Sequence, residues 1–200
     1  MKIMNRFKNI LLLAFAFASS LCSAQDSYIL SKDYMVKILG TSNLHNWNET
    51  VENTSGNGVI TWNSDGSFNL DAIKIIMDVH SIKSESSVMT NKTRSALKAD
   101  ENPKITFALT APVKSIKAGA TIPAKGDLTI AGVTRLIDMQ VNISSPEKGK
   151  LLIQGIQEIK MSDYGVVAPT ALFGALKTGD GITLDFKTMF VLSNPIKNQI

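Results

Sequence analysis

The strongest constraint on the fold is an alternation of apolar and polar residues with a period of two. Successive side chains of a β-strand point to opposite faces, so this spacing predicts strands with one buried face. The clearest strand lies near the C-terminal end, where one face carries Ile182, Leu184, Phe186, Phe190 and Leu192 and the other carries Thr183, Asp185 and Lys187. Three further segments show the same period: Ile73–Val79, Ile105–Ala111 and Ile137–Ile143.

Weaker alternation adds the strands Tyr34–Leu39, Leu44–Val51, Gly58–Asn63, Lys125–Ile130 and Leu151–Met161. Between the strands lie residues typical of turns: Asn63–Gly66, Ala131-Gly132, Pro146–Gly149 and Gly179–Gly181. Many short strands without intervening long helices favour a single all-β domain. We therefore predict an antiparallel lipocalin-like β-barrel of about eight strands with one interposed α-helix.

The interposed helix is predicted within Ser84–Ala99, where the period of two disappears. Five residues recur there at helical spacing: Val88, Met89, Thr93, Ala96 and Leu97. Ser84 is the expected N-cap, with Glu85 in the first turn, and Pro103 favours an extended chain before the next strand. A second, short helical turn is predicted around Pro169–Leu176.

Residues 1–24 have the order of features of a secretory signal peptide. Lys2, Arg6 and Lys8 precede the apolar run Ile10–Ala18, which is too short to span a bilayer, and small residues follow. We predict cleavage after Ala24, residues 25–200 as one domain, and a periplasmic location. Cys22 could instead carry a lipid anchor, but Leu21 stands before it, where lipoprotein signals have a small residue.

Charge argues against a nucleic-acid partner. The chain has 21 Lys and Arg against 17 Asp and Glu, and removing the three signal cations leaves 18 against 17. Nucleic-acid-binding proteins concentrate positive charge for the phosphates. No segment after the signal is apolar enough to span a membrane, so no integral membrane segment is expected. The oligomeric state stays open, a homodimer included.

No catalytic or metal site is predicted. The sequence has no Gly-x-Ser-x-Gly elbow and no Gly-rich phosphate loop before a helix. Its two histidines, His45 and His80, are far apart, and the mature chain has no cysteine to complete a zinc site. We expect no cofactor.

The interior of such a barrel either encloses one small ligand or is filled by side chains. The predicted inward faces are almost wholly apolar, which suits a hydrocarbon chain and equally suits a filled core. The alternation by itself favours neither reading.

Four motifs resemble the YceI-like family. They are Lys98–Phe107, Gly126–Thr134, Asp163–Val166 (where the family has Asp-Phe-Gly-Ile) and Thr41–Trp47. Together with the strands around them they extend over Tyr34–Leu192. The resemblance implies a periplasmic lipocalin-like barrel that binds polyisoprenoid molecules.

Two positions depart from the family pattern. Many members have Arg two residues before the aspartate of the Asp-Phe-Gly-Ile motif, where this chain has Met161, and many have His in the helix, where it has Thr93-Arg94. If those polar groups contact a ligand head group in other members, this chain must hold its head group differently or not at all.

The resemblance favours a hollow interior, and with it a long apolar lipid as ligand, either a polyisoprenoid or an isoprenoid quinone. The residues predicted to line the site are Trp47, Ile75, Met77, Phe107, Leu109, Leu128, Met139, Phe186 and Phe190. His45 is predicted to hydrogen-bond a polar terminus, although a structural role for this histidine is equally compatible with its position.

Two alternatives to a lipid carrier stay open. One is an envelope protein with a filled barrel that acts through its surface. The other is an enzyme with a polar cluster around His45 and Glu49.

Overall fold

The computed structural model describes residues 25–193, so the predicted signal peptide, Cys22 and the last seven residues lie outside the described part of the chain. Twelve strands and one α-helix make up this part. The strands are β1 (Gln25–Ser42), β2 (Asn46–Val51), β3 (Thr54–Trp62), β4 (Phe68–Asp78), β5 (Ile82–Lys83), β6 (Lys104–Leu109), β7 (Val113–Ile116), β8 (Ala120–Ile130), β9 (Val133–Ser144), β10 (Lys150–Lys160), β11 (Thr170–Ala171) and β12 (Leu176–Leu192). The helix α1 (Ser87–Ala96) lies between β5 and β6.

The sheet closes into an antiparallel barrel of eight strands, as predicted. Around the barrel the order is β1, β12, β10, β9, β8, β6, β4 and β3, and pairing of β12 with β1 completes the ring. Closure removes the exposed edges that an open sheet would present to other chains. In residues 25–193 no helix is both long and apolar enough to cross a bilayer.

Strand β1 is 18 residues long and pairs with two strands along one edge. Its first residues pair with β3 and its last residues pair with β2, so β2 and β3 share that edge. The Tyr34 hydroxyl holds the corner between them, because it donates to the Glu52 carbonyl (2.7 Å) and accepts from the Thr54 amide (2.9 Å). Strand β5 then pairs with β2, and α1 follows at this end of the barrel.

Local chemistry explains the chain reversals. The β8–β9 hairpin turns through Ala131-Gly132, both with positive φ, which matches the twist that a two-residue hairpin requires. Gly165 ends a 3₁₀ turn at Met161–Tyr164 in the left-handed conformation, with its amide donating back into the turn. Both glycines were predicted only as parts of turns or motifs.

Three local predictions need correction. Ser86, not Ser84, is the N-cap of α1, and its hydroxyl accepts from the Met89 amide, so Glu85 lies before the helix. The turn predicted around Pro169–Leu176 is one short 3₁₀ turn at Leu172–Gly174 between β11 and β12. His45 lies in the turn before β2, because the β1–β2 hairpin is closed there by hydrogen bonds from Ser42 to the His45 carbonyl.

Candidate functional site

The barrel interior contains two apolar cavities that share part of their walls. The larger, which we call the helix-end cavity, has a volume of about 270 Å³ and lies beneath α1. The smaller, the inner cavity, has a volume of about 90 Å³. Val36, Met77 and Leu184 line both cavities, so the two spaces meet at these side chains.

Helix α1 forms one wall of the helix-end cavity. All five residues predicted to share its apolar face line this cavity: Val88, Met89, Thr93, Ala96 and Leu97. The opposite walls come from the ends of β1, β2, β10 and β12 and from the turn that holds Met161 and Tyr164. The helix therefore lies over an end of the barrel interior that side chains do not fill.

The helix-end cavity reaches the protein surface. Its lining includes the exposed residues His45, Ser86, Val88 and Thr170. Lys92 also lines it, and its ammonium donates to the Thr170 carbonyl (2.7 Å), which links α1 to β11. The mouth of the cavity therefore lies at these exposed residues of the helix end, and the Lys92–Thr170 contact crosses it between α1 and β11.

Aromatic rings lie flat on the barrel wall opposite glycines. A Cβ added to Gly40 would overlap the Trp47 ring, and one added to Gly126 would overlap the Phe107 ring. The Phe186 ring lies against its cross-strand partner Gly155 in the same way. Because a glycine has no side chain, each ring can occupy space at the wall instead of crossing the lumen.

The end of the barrel away from α1, which we call the closed end, is packed solid. Six large side chains there are at most 1% exposed and line neither cavity: Tyr28, Ile60, Phe68, Ile143, Leu151 and Phe190. The Trp62 indole donates to the Tyr28 hydroxyl (3.0 Å) and its ring stacks at a tilt on Phe68. The barrel is thus closed at one end and hollow at the other.

One carboxyl group is buried in the wall of the helix-end cavity. Glu49 is 1% exposed, and its Oε1 accepts from the Thr93 hydroxyl (2.8 Å). Burial raises the pKa of Glu49 from its usual 4.5 to about 7, against the opposing effects of the Thr93 hydrogen bond and the nearby Arg94 charge. The Arg94 guanidinium donates to the Ile82 carbonyl (3.1 Å) instead of pairing with Glu49.

Two further polar side chains face the interior. Tyr164 is 2% exposed, lines the helix-end cavity, and its pKa is raised mainly by burial and also by the Asp163 charge. Gln157 lines the inner cavity, and its amide donates to the Glu158 carbonyl (2.8 Å). Glu49 and Gln157 belong to one row of paired residues across four strands, because Ile38 pairs with both Glu49 and Leu184, and Leu184 pairs with Gln157.

The predicted lining residues fall into three groups. The inner cavity collects seven of them: Ile75, Met77, Phe107, Leu109, Leu128, Met139 and Phe186. His45 and Trp47 line the helix-end cavity, where Met77 also contributes. Phe190 lies in the closed end and lines neither cavity, because its level of the barrel is filled.

The polar residue predicted as a ligand contact is His45, whereas the polar residue that the structure buries in the cavity wall is Glu49. His45 is exposed at the cavity mouth, and its Nδ1 lies 2.9 Å from the Asn46 carbonyl. Glu49, Thr93 and Tyr164 had not been predicted as ligand contacts. A signal was available for Glu49, which shares the inward strand face of Trp47 and Val51, since a charged residue on such a face is unusual.

Residues 25–193 contain no group of three or more His, Cys, Asp or Glu side chains placed to hold a metal ion. His45 and Glu49 lie at different depths of the same cavity, one exposed and the other buried, and each has its own hydrogen-bond partner.

A family model described as the YceI-like domain matches residues 35–190 of the chain. The chain belongs to the YceI-like family. This match includes α1, six of the barrel strands in full and parts of β1 and β12. No match was found among curated proteins.

Solved structures share the YceI-like fold at low sequence identity. A polyisoprenoid-binding domain from Saccharophagus degradans is 16% identical, with a TM-score of 0.65 over 83% of this chain and 98% of that domain. BcnA from Burkholderia cenocepacia is 15% identical, with a TM-score of 0.62 over 78% and 95% of the two chains. The YceI protein of Campylobacter jejuni is 21% identical, with a TM-score of 0.54 over 74% and 85%.

The two departures from the YceI-like pattern both lie at the helix-end cavity. Met161 lines it from the 3₁₀ turn, and Thr93 lines it from α1 and binds Glu49. The residues that set this chain apart from many members are therefore gathered at one site, whereas the inner cavity is lined by apolar residues and Gln157 and Thr188.

Proposed function

We propose that the protein binds a long apolar lipid, a polyisoprenoid or an isoprenoid quinone, inside the barrel, and carries or stores it in the periplasm without catalysing a reaction. The observation that carries this proposal is the pair of adjacent apolar cavities, which share Val36, Met77 and Leu184 in their walls, with the larger open at the helix end. A hydrocarbon chain placed there would be stabilised by about 25 cal/mol per Å² of apolar surface removed from water.

The hollow interior weighs against a filled barrel that acts only through its surface. A filled core would place side chains at every level, as the closed end does, whereas Val36, Met77 and Leu184 border free space on two sides. The name of the Saccharophagus domain, which describes polyisoprenoid binding, supports the same ligand class.

The direct test is native mass spectrometry of the protein purified from the periplasm without detergent, combined with lipid extraction. We expect a stoichiometric polyprenyl or quinone adduct. A ligand-free mass, together with failure to load long isoprenoids in vitro, would overturn the proposal and favour a protein that works through its surface.

A matched pair of variants tests whether the ligand passes from one cavity into the other. Leu184→Trp places a large ring where the cavities meet, while Lys187→Trp adds the same ring on the exposed outer face of β12. We expect the first variant to lose at least tenfold in affinity for a C40 isoprenoid and the second to bind as the wild type does. Equal binding by both variants would show that the lipid does not occupy the junction.

Export is tested by the mass of the protein recovered from each cell fraction. The proposal expects a periplasmic chain that begins at Gln25, without a lipid anchor. A membrane-associated form that keeps Cys22 with acyl chains attached would contradict it and identify a lipoprotein.

A further inference from the structure

Two polar atoms in the wall of the helix-end cavity have no hydrogen-bond partner within residues 25–193. They are Oε2 of Glu49 and the hydroxyl of Tyr164, on residues that are 1% and 2% exposed. Leaving a buried polar atom without a partner costs about 1–3 kcal/mol, and native proteins rarely leave such atoms unsatisfied. Both residues line the helix-end cavity, so a group bound there is the candidate partner for these two atoms.

The Glu49 carboxyl is held in place for such a contact. Its other oxygen is occupied by the Thr93 hydroxyl, which fixes the carboxyl at the junction of β2 and α1. Oε2 is then the oxygen that is free to bind. Since burial favours the protonated form, the group can donate a hydrogen bond as well as accept one near neutral pH.

The charges around the cavity do not suit an anionic ligand. Lys92 is the one Lys or Arg among the described lining residues, and its ammonium already donates to the Thr170 carbonyl. Arg94 is near enough to Glu49 to lower its pKa, and its buried Nε has no partner within residues 25–193, but Arg94 is not among the residues that line the cavity. His45 lies at the exposed mouth. A phosphate or carboxylate near Glu49 would lose its hydration and meet a second acidic group, and the one lining cation, Lys92, is already engaged with the Thr170 carbonyl.

We propose that Glu49 and Tyr164, with Thr93 positioning the carboxyl, form a polar subsite that binds the oxygen of a neutral lipid head group, a hydroxyl or a carbonyl. The inference rests on the proposed function and narrows its ligand class. It assigns the head group to the helix-end cavity and the tail to the inner cavity, and it disfavours lipids with a phosphate or carboxylate head.

The test uses three isoprenoid probes with matched C20 tails: geranylgeraniol, geranylgeranyl monophosphate, and the C20 hydrocarbon that lacks oxygen. Binding is measured by Trp fluorescence or calorimetry for the wild type and for Glu49→Leu, Glu49→Gln and Tyr164→Phe. Glu158→Gln, on the exposed face of β10, is the control for loss of a carboxylate. For each probe, the affinities of the different proteins are compared with one another. The free energy of removing that probe from water is the same in each case and therefore cancels.

We expect Glu49→Leu to weaken geranylgeraniol binding about tenfold and Tyr164→Phe about threefold, with hydrocarbon binding unchanged or tighter in both, as expected for loss of single hydrogen bonds. Glu49→Gln removes the charge but keeps a polar group of the same shape. It should retain the alcohol and bind the monophosphate more tightly than the wild type does. Glu158→Gln should change none of these affinities.

Two results would overturn the subsite while leaving lipid binding intact. One is equal weakening of alcohol and hydrocarbon by Glu49→Leu, which would mean that Glu49 only shapes the cavity. The other is monophosphate binding to the wild type as tight as that of the alcohol. If the wild type binds none of the three probes, the proposed function fails, and this inference fails with it.

Discussion

The two ends of the barrel interior are packed differently, although the same strands form both. At the closed end Tyr28, Phe68 and Phe190 are essentially fully buried and leave no space between them. At the helix end the wall side chains border a cavity of about 270 Å³ and a short helix covers part of the opening. One region supplies the packing that keeps the barrel closed, which allows the other to stay hollow.

The difference shows how a small barrel can stay folded although a cavity lowers its stability. Unfilled space forfeits van der Waals contacts, so a hollow end is less stable than a packed one. Here rings lie against glycines, so that Phe107 and Trp47 are supported by the wall rather than by the opposite side. We expect stability to depend mostly on the closed end and ligand binding on the helix end.

The strongest test of this difference is to shorten one side chain to alanine at each end of the barrel. Phe190→Ala should lower the free energy of unfolding by about 3–5 kcal/mol, because it empties a fully buried site. Met161→Ala, at the partly exposed wall of the helix-end cavity, should cost less than about 1 kcal/mol. Urea unfolding of both variants measures the difference, and equal losses would remove the distinction between the two ends.

Filling the space beside an aromatic ring should have the next largest effect. Gly126→Ala forces Phe107 off the wall and should cost about 1–3 kcal/mol and weaken lipid binding. Gly181→Ala, whose added methyl meets nothing within 4 Å, is the control and should change stability by less than about 0.5 kcal/mol. If Gly126→Ala lowered stability no more than Gly181→Ala does, Phe107 would be able to move aside without a loss of stability.

The Glu49 carboxyl gives the helix end a pH dependence of its own. Its pKa is raised from 4.5 to about 7, so the folded state binds more protons than the unfolded state between these values. Stability from this group is therefore present below pH 4.5 and is lost as the pH rises to about 7. Relative to Glu49→Gln, the wild type should lose about 2 kcal/mol between pH 5 and pH 8. Parallel stability curves for the two proteins would contradict the shift.

The smallest expected effect concerns the start of α1. Ser86→Ala removes the N-cap and should lower stability by about 0.5–1 kcal/mol, near the low end for caps because its hydrogen bond to the Met89 amide is long, at 3.4 Å. Ser84→Ala, at the cap position expected from sequence, should matter less. If the order were reversed, the helix would begin two residues earlier than the structure shows.

Much of the interior could be predicted from the alternation of residues. Ile75, Phe107 and Met139 were assigned inward and line the inner cavity, and Thr93 and Leu97 were placed on the helix face that covers the helix-end cavity. These assignments succeed because the direction of a side chain depends on its neighbours in the chain. The predicted lipid contacts of these residues stay predictions.

Other features depended on contacts between distant segments. Phe190 shares the face of Phe186, yet one lies in the closed end and the other in the inner cavity. The supporting pairs of Phe107 with Gly126 and Trp47 with Gly40 depend on strand register. The cap of α1 also shifted by two residues, since Ser84 and Ser86 offer the same local chemistry.

By itself the sequence determined nine of the twelve strands, their inward faces, the helix and, through its motifs, the family. The short strands β5, β7 and β11 were not predicted. Tertiary structure decided which part of the barrel is hollow. It also brought Glu49 to Thr93 and left Oε2 of Glu49 without a partner within residues 25–193. The physical reason is one of range. Period and turn chemistry act between residues a few positions apart, whereas a cavity and the pKa of a buried carboxyl depend on which segments meet when the sheet closes.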